Sequence, residues 1–235
     1  MTVRTLHRPA DARGKADHGW LKSAHSFSFG QYHDPNVMGF RALRVINEDW
    51  IAGGGGFPTH GHSDMEIVTY VLDGALAHKD SLGTGAVIRP GEAQRMSAGR
   101  GIQHSEFNAS ADETVHLLQI WLLPRTRGGD AGYEQKALPP VAPDATQIDI
   151  IASPDGGDAA VTINSDASIA RVVIAPGGSI TVPITRGNAW LQAARGAATA
   201  GNQALAAGDG FAAVGLASVT LASDAGAEVL LFDLG

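Results

Sequence analysis

The sequence contains no cysteine. That removes disulfides, thiolate metal sites and cysteine nucleophiles in one step. Long apolar runs are missing too: the longest near-apolar stretch, VHLLQIWLL from Val115, falls well short of the ~20 residues a membrane helix needs. The opening residues, MTVRTLHRPADARGKADHGW, lack the apolar segment of a secretory signal. Positive charge is short as well, with 17 basic residues against 24 acidic ones, a net charge of −7 and no basic cluster to neutralise phosphates. These absences lead us to expect a soluble, cytoplasmic protein with no membrane segment and no direct contact with nucleic acid.

Histidine and lysine are missing from one region only. Residues 1–140 hold all nine histidines, 14 basic and 15 acidic residues, whereas 141–235 hold three arginines, nine acids and neither lysine nor histidine. The change falls at KALPPVAPDATQ (Lys136 to Gln147), where clustered prolines suit an extended linker. Two domains are therefore expected, 1–140 and 141–235.

What is present reads as β. Short apolar runs recur between turns: FRALRVIN, EIVTYVL, AVIRPGE and TVHLLQIWLL, then IARVVIAPGG, SITVPI and AEVLLFDL. Glycine and proline in LDG, RPGE and APGG supply the turn chemistry. No window of a dozen residues sustains a helical stripe, and a 44% apolar content is enough for a core. An all-β chain with a sandwich or barrel in each half follows. The terminal EVLLFDLG reads as a last, well-buried strand, whose loss should destabilise the whole chain.

The chemistry gathers at THGHSDMEIVTY, Thr59 to Tyr70. On a strand, positions i and i+2 share a face, so His60 and His62 present two imidazoles side by side. Forty-two residues beyond His62, AGRGIQHSEFN repeats the spacing with His104 and Glu106. Two such pairs converging inside a barrel make a site of three nitrogens and one oxygen. Imidazole and carboxylate suit Fe, Mn, Ni, Cu or Zn, with no soft sulfur to bias the choice. The glycine run Gly53–Gly56 is no phosphate loop, because no GK[ST] follows; it reads as a bulged lead into the HxH strand. Arg100, between two glycines, reads as a turn residue. His25 and His33 read as hydrogen-bonding residues of an N-terminal arm, with the pocket mouth as the alternative. His78 reads as structural, beside a turn.

These stretches resemble a known family. THGHSDMEIVTYVLDG is similar to the first cupin motif, with Gly54 six residues before His60, Glu66 four after His62 and the closing Gly74 one residue late. GRGIQHSEFN resembles the second, with Gly101, His104 and Asn108 in step and Gly99 where a proline is usual. HSFSFGQYHDP, HGHSDMEIVTYVLDG, HKDSLG, MSAGRGIQHSEFN and GYEQ are similar to signatures of the pirin family. The resemblance implies two tandem cupin barrels, a bicupin in which the N-terminal barrel alone binds metal. Carried over by position, its ligands are His60, His62, His104 and Glu106. Glu66 is the fourth ligand in many other cupins; here it is expected to orient an imidazole from behind.

The resemblance further implies a quercetin 2,3-dioxygenase-like enzyme. Fe(II) is the expected metal, with Mn, Ni, Cu, Zn and Co compatible. The expected partners are a small phenolic or enol substrate and molecular oxygen, met by a monomer. Glu106 would also serve as the base that takes the substrate's hydroxyl proton. Phe57, Met65, Phe107 and Trp121 are candidates for the cavity lining, although alternation must turn some of them outward. The alternative is a metal- or redox-dependent regulator acting through a protein partner.

Overall fold

Alternating side chains drive nearly the whole chain into strands. A computed structural model describes residues 4–142, 144–157 and 160–235. The first half supplies β1 (Arg4–Arg8), β2 (Gly14–Asp17), β3 (Leu21–His25), β4 (Leu43–Ile51), β5 (Gly56–His62), β6 (Glu66–Asp73), β7 (Leu76–Asp80), β8 (Gly85–Ile88), β9 (Glu92–Ser97), β10 (Ile102–Asn108), β11 (Val115–Leu122) and β12 (Gly132–Ala137). The second supplies β13 (Gln147–Ser153), β14 (Val161–Thr162), β15 (Ala167–Ile174), β16 (Gly178–Pro183), β17 (Asn188–Ala200), β18 (Gln203–Ala206), β19 (Gly210–Val214), β20 (Ser218–Ser223) and β21 (Ala227–Leu234). The all-β expectation is met. Among the described residues the only helical element is a 3-10 turn at Ala10–Ala12, and no helix is long and apolar enough to cross a membrane.

The first barrel closes between a seven-stranded sheet, ordered β12-β9-β6-β11-β4-β3-β2, and a four-stranded sheet, β5-β10-β7-β8. The second half builds a ten-stranded sheet around β17, β21 and β15. Its interior is filled by apolar side chains such as Val172, Leu191, Leu221 and Leu231. The chain start crosses over: β1 pairs with β19, so residues 4–8 lie on the second half's sheet rather than within a unit that ends at residue 140. The proline-bearing connection is also shorter than the sequence suggests. Lys136 and Ala137 still pair in β12 with β9, and coil begins at Leu138; Pro143 lies outside the described residues.

The outer face of the seven-stranded sheet packs on the second half. Val68, Tyr70 and Leu72 of β6 meet Trp190 and Phe232 in one buried cluster, with the Trp190 ring 4.7 Å from Phe27. The two barrels thus share a core.

One ion cluster braces this arrangement. Strand β4 runs unbroken through the three consecutive polar residues Asn47-Glu48-Asp49 to Ile51. Glu48 points away from the barrel interior and accepts bonds from Arg13 (2.7 Å) and His116 (2.9 Å), with both carboxylate and guanidinium buried. Burial opposes ionisation of Glu48, but the His116 bond and the Arg13 charge outweigh it and hold its carboxyl below the ordinary value. A depressed carboxylate pKa adds stability above the unfolded value, near 4.3, and loses it as pH falls through the folded one. Glu48→Gln strands the buried Arg13 and is expected to destabilise the protein by about 3 kcal/mol at pH 7. Urea titrations of both proteins should show that gap narrowing below about pH 4.

Candidate metal centre

Strands β5 and β10 pair antiparallel with His104 opposite His60 and Ile102 opposite His62. A register shift follows, so that Glu106 lies opposite Phe57, and the extra residue in β5 falls at Pro58–Thr59. The glycines ahead of β5 permit that geometry: a Cβ at Gly53 would stand 2.2 Å from the Ala111 carbonyl oxygen. The bulge also fixes a tautomer. His60 Nδ1–H donates to the Pro58 carbonyl at 2.8 Å, which leaves Nε2 as its bare nitrogen.

The three imidazoles of the HxH and HxE pairs converge. Ring centroids are 4.4 Å apart for His60–His104, 4.8 Å for His60–His62 and 4.9 Å for His62–His104. Their ligating nitrogens fall within 4.8 Å of one another. His104 is 2% exposed, and neither of its ring nitrogens has a partner. Burial, then the charges of His60, His62 and His78, push the His104 pKa down to about 3. His62 is pushed to about 4 by burial and by His60. Lowered pKa values keep the lone pairs of His62 and His104 free for a cation, and a set of three imidazoles without sulfur fits a divalent transition metal.

Glu106 stands one step aside. Its carboxylate groups with His104 and His78, not with the full histidine triad. Gln119 explains the placement: Thr69 donates to the Gln119 carbonyl at 2.8 Å, and the Gln119 amide then donates to both Glu106 oxygens at 3.0 and 3.1 Å. Burial pushes the Glu106 carboxyl up to about 7 despite that bond. A cation beside it would favour the carboxylate.

Other expectations resolve less evenly. Glu66 touches no imidazole. It shares a face of β6 with Val68, Tyr70 and Leu72, turned toward the second half, where it accepts from Ser97 (2.8 Å) and the Asn164 amide (3.2 Å). His78 is buried, donates to Asp80 at 3.1 Å and brings its ring within 5.4 Å of His104, closer to the centre than a turn residue would be. His25 is buried in the cavity wall, whereas His33 is exposed. Phe57 and Trp121 line the cavity, Met65 packs with Ile67 and Met96 elsewhere, and Phe107 is 40% exposed. Arg100 pairs with Asp130 on the surface.

The cavity beside the histidines is about 920 Å³, ample for a drug-sized ligand. Sequence reading misses part of its wall: Ser23, Asn47, Asp49 and Gln119. The available signal is polar residues at alternate positions of apolar strands, Ser23 and His25 on β3 and Asn47 and Asp49 on β4.

Comparison with known proteins follows these lines. Residues 6–122 match the Pirin family model, and residues 150–234 match the model of the quercetinase C-terminal cupin domain. A quercetin 2,3-dioxygenase of Escherichia coli (strain K12) is 43% identical over 229 residues, 97% of each chain. The chain belongs to the pirin family. The crystal structure of YhhW from Escherichia coli superposes with a TM-score of 0.93 at 42% identity, covering 99% of this pirin and 98% of that chain. A second structure, of bacterial pirin YhhW in complex with nickel(II), gives 0.91 at 42% identity and covers 98% and 99%. Both halves of this pirin are thus cupin barrels, and the histidine-bearing one is the first.

Proposed function

We propose that this pirin is a metal-dependent dioxygenase that opens quercetin-like flavonols with molecular oxygen. The observation that carries the reading is the buried His104, both nitrogens unpartnered, among converging imidazoles at the wall of a large cavity. His60, His62 and His104 would hold the ion, with Glu106 as fourth ligand; Fe(II) is our assignment, and the nickel(II) complex of a relative supports a metal-binding role. When bound, such an ion supplies a Lewis acid for an enolic oxygen and a centre at which oxygen can be used.

The protein's own residues do the rest. Glu106 would take the hydroxyl proton at a carboxylate oxygen, and a bound cation would keep that carboxylate ionised and ready to accept it. Gln119 fixes the carboxylate's orientation, its one amide nitrogen donating to both oxygens. Trp121, edge-on to His62 at 4.9 Å, and Phe29, edge-on to Trp121 at 5.3 Å, give an aromatic surface for a planar substrate and exclude water from it. A cytoplasmic setting completes the proposal.

Oxygen uptake by Fe(II)-loaded protein supplied with quercetin tests it. One oxygen per flavonol is expected, with at least a hundredfold loss of rate in His62→Ala. Metal-loaded protein that takes up no oxygen would shift the reading to a regulator.

A further inference from the structure

The mechanism leaves a second polar group in the same cavity unused. Across the β3–β4 pair, Ser23 lies opposite Asp49 and His25 opposite Asn47, all four buried and lining the cavity. Asp49 is 5% exposed, and its Oδ1 accepts from the Ser23 hydroxyl. Among the described residues nothing donates to Oδ2, and that atom is not sealed away in the protein interior. No cation pairs with Asp49 there either, since the nearby Arg13 is engaged by Glu48 on the other face of the strand. Burial pushes the Asp49 carboxyl up to about 7, and a hydroxyl donated to Oδ2 would favour the acceptor carboxylate.

His25 presents a matching atom. Its Nδ1 stands 2.7 Å from Asn47 Oδ1, which can only accept, so Nδ1 carries the proton and Nε2 is a bare acceptor. Nε2 has no protein partner among the described residues and is not sealed in the interior. Ser23 touches both groups, its hydroxyl lying 3.4 Å from His25 Nδ1. The wall therefore offers two acceptors, on either side of one serine.

An aromatic track joins this pair to the metal centre. Ring centroids step from His25 to Phe29 (5.4 Å), Phe29 to Trp121 (5.3 Å) and Trp121 to His62 (4.9 Å). Asn47 also lies directly across from Gln119, which holds Glu106. A flat ligand with one end at the imidazoles can extend along this track toward His25, which Ser23 links to Asp49.

Building on the proposed flavonol reaction, we infer that Asp49 and His25 form a specificity pole that accepts hydrogen bonds from vicinal hydroxyls on the far ring of the substrate. The ligand class it selects is a catechol-bearing aromatic, and Asp49 is its chief determinant.

The test is anaerobic binding of two flavonols to metal-loaded protein, followed by quenching of tryptophan emission. Quercetin carries the vicinal pair on its side ring; galangin is the same flavonol without it. Wild-type protein is expected to hold quercetin at least about tenfold tighter than galangin. In Asp49→Leu the ratio should fall to within about twofold, through weaker quercetin binding alone, with metal content unchanged. Asp49→Asn keeps the volume and removes the buried charge. It should lose most of the preference while its thermal midpoint holds or rises, which a merely structural role would not produce. A preference that survives in both variants, or equal binding of both flavonols by wild type, overturns the pole and leaves the proposed reaction standing. If neither flavonol binds metal-loaded wild type, the pole and the flavonol reading fall together.

Discussion

Replacing His104 with leucine is expected to empty the metal centre and, at the same time, to make the metal-free protein more stable. Both effects come from one observation: an imidazole 2% exposed whose two nitrogens have no hydrogen-bond partner. A buried polar atom left unpaired opposes folding by about 1–3 kcal/mol. Leucine has similar volume and no polar atom, so the apoprotein should gain about 1–2 kcal/mol, within that range. At 235 residues that is a rise of about 2–8 °C in thermal midpoint. The metal site, by contrast, loses one of its three nitrogens. Metal content after dialysis should fall from near one equivalent to under about a tenth, and added metal should no longer raise the midpoint. Metal analysis and calorimetry on the same samples read both effects. Retained metal would remove His104 from the ligand set. A falling apoprotein midpoint would mean that the ring holds up the fold.

Ending the chain before β21 should abolish cooperative folding of both halves. The strand lies between β15 and β17, and its two faces serve different cores. Leu230, Phe232 and Leu234 face the cluster shared with the first barrel, while Val229 and Leu231 fill the second barrel. Removing it strips two ladders and opens both clusters. A chain stopped at Gly226 is expected to be insoluble or to lack any sharp transition. Phe232→Ala is the graded version: a fully buried ring lost from the shared core destabilises by about 3–5 kcal/mol. That corresponds to a midpoint lower by about 6–20 °C for a protein of this size. Because the core is shared, hydrogen exchange at β10 and β11 should accelerate along with that at β15 and β17. Unchanged protection in the first barrel would show that the halves fold independently.

The residues legible in sequence were those whose chemistry is local. His60 with His62 and His104 with Glu106 are same-face pairs on strands, and period two needs no tertiary knowledge. The terminal strand announces itself as an apolar run. Glu66 misled because its distance from the HxH pair fits a motif, while the parity of its strand position decides which face it takes. It shares parity with Val68 and Tyr70, whose partners lie in the second half and are invisible locally. The Asp49 wall was missed for a related reason. Asn47-Glu48-Asp49 is a run of three polar residues, and only the pairing of β4 with β3 and β11 reveals that two of those side chains face a cavity and one faces Arg13. The crossing of β1 onto β19 rests on contacts about 200 residues apart in sequence, beyond the reach of any local signal.

The central claim is that a metal held by His60, His62, His104 and Glu106 meets an enolic hydroxyl in the cavity. The most direct measurement is the absorption spectrum of quercetin titrated under argon with metal-loaded protein. Ionisation of the hydroxyl should move the long-wavelength band to the red, saturating at one flavonol per chain, and the shift should vanish in metal-free protein and in His104→Leu. No shift with metal bound, or the same shift in His104→Leu, would contradict the account.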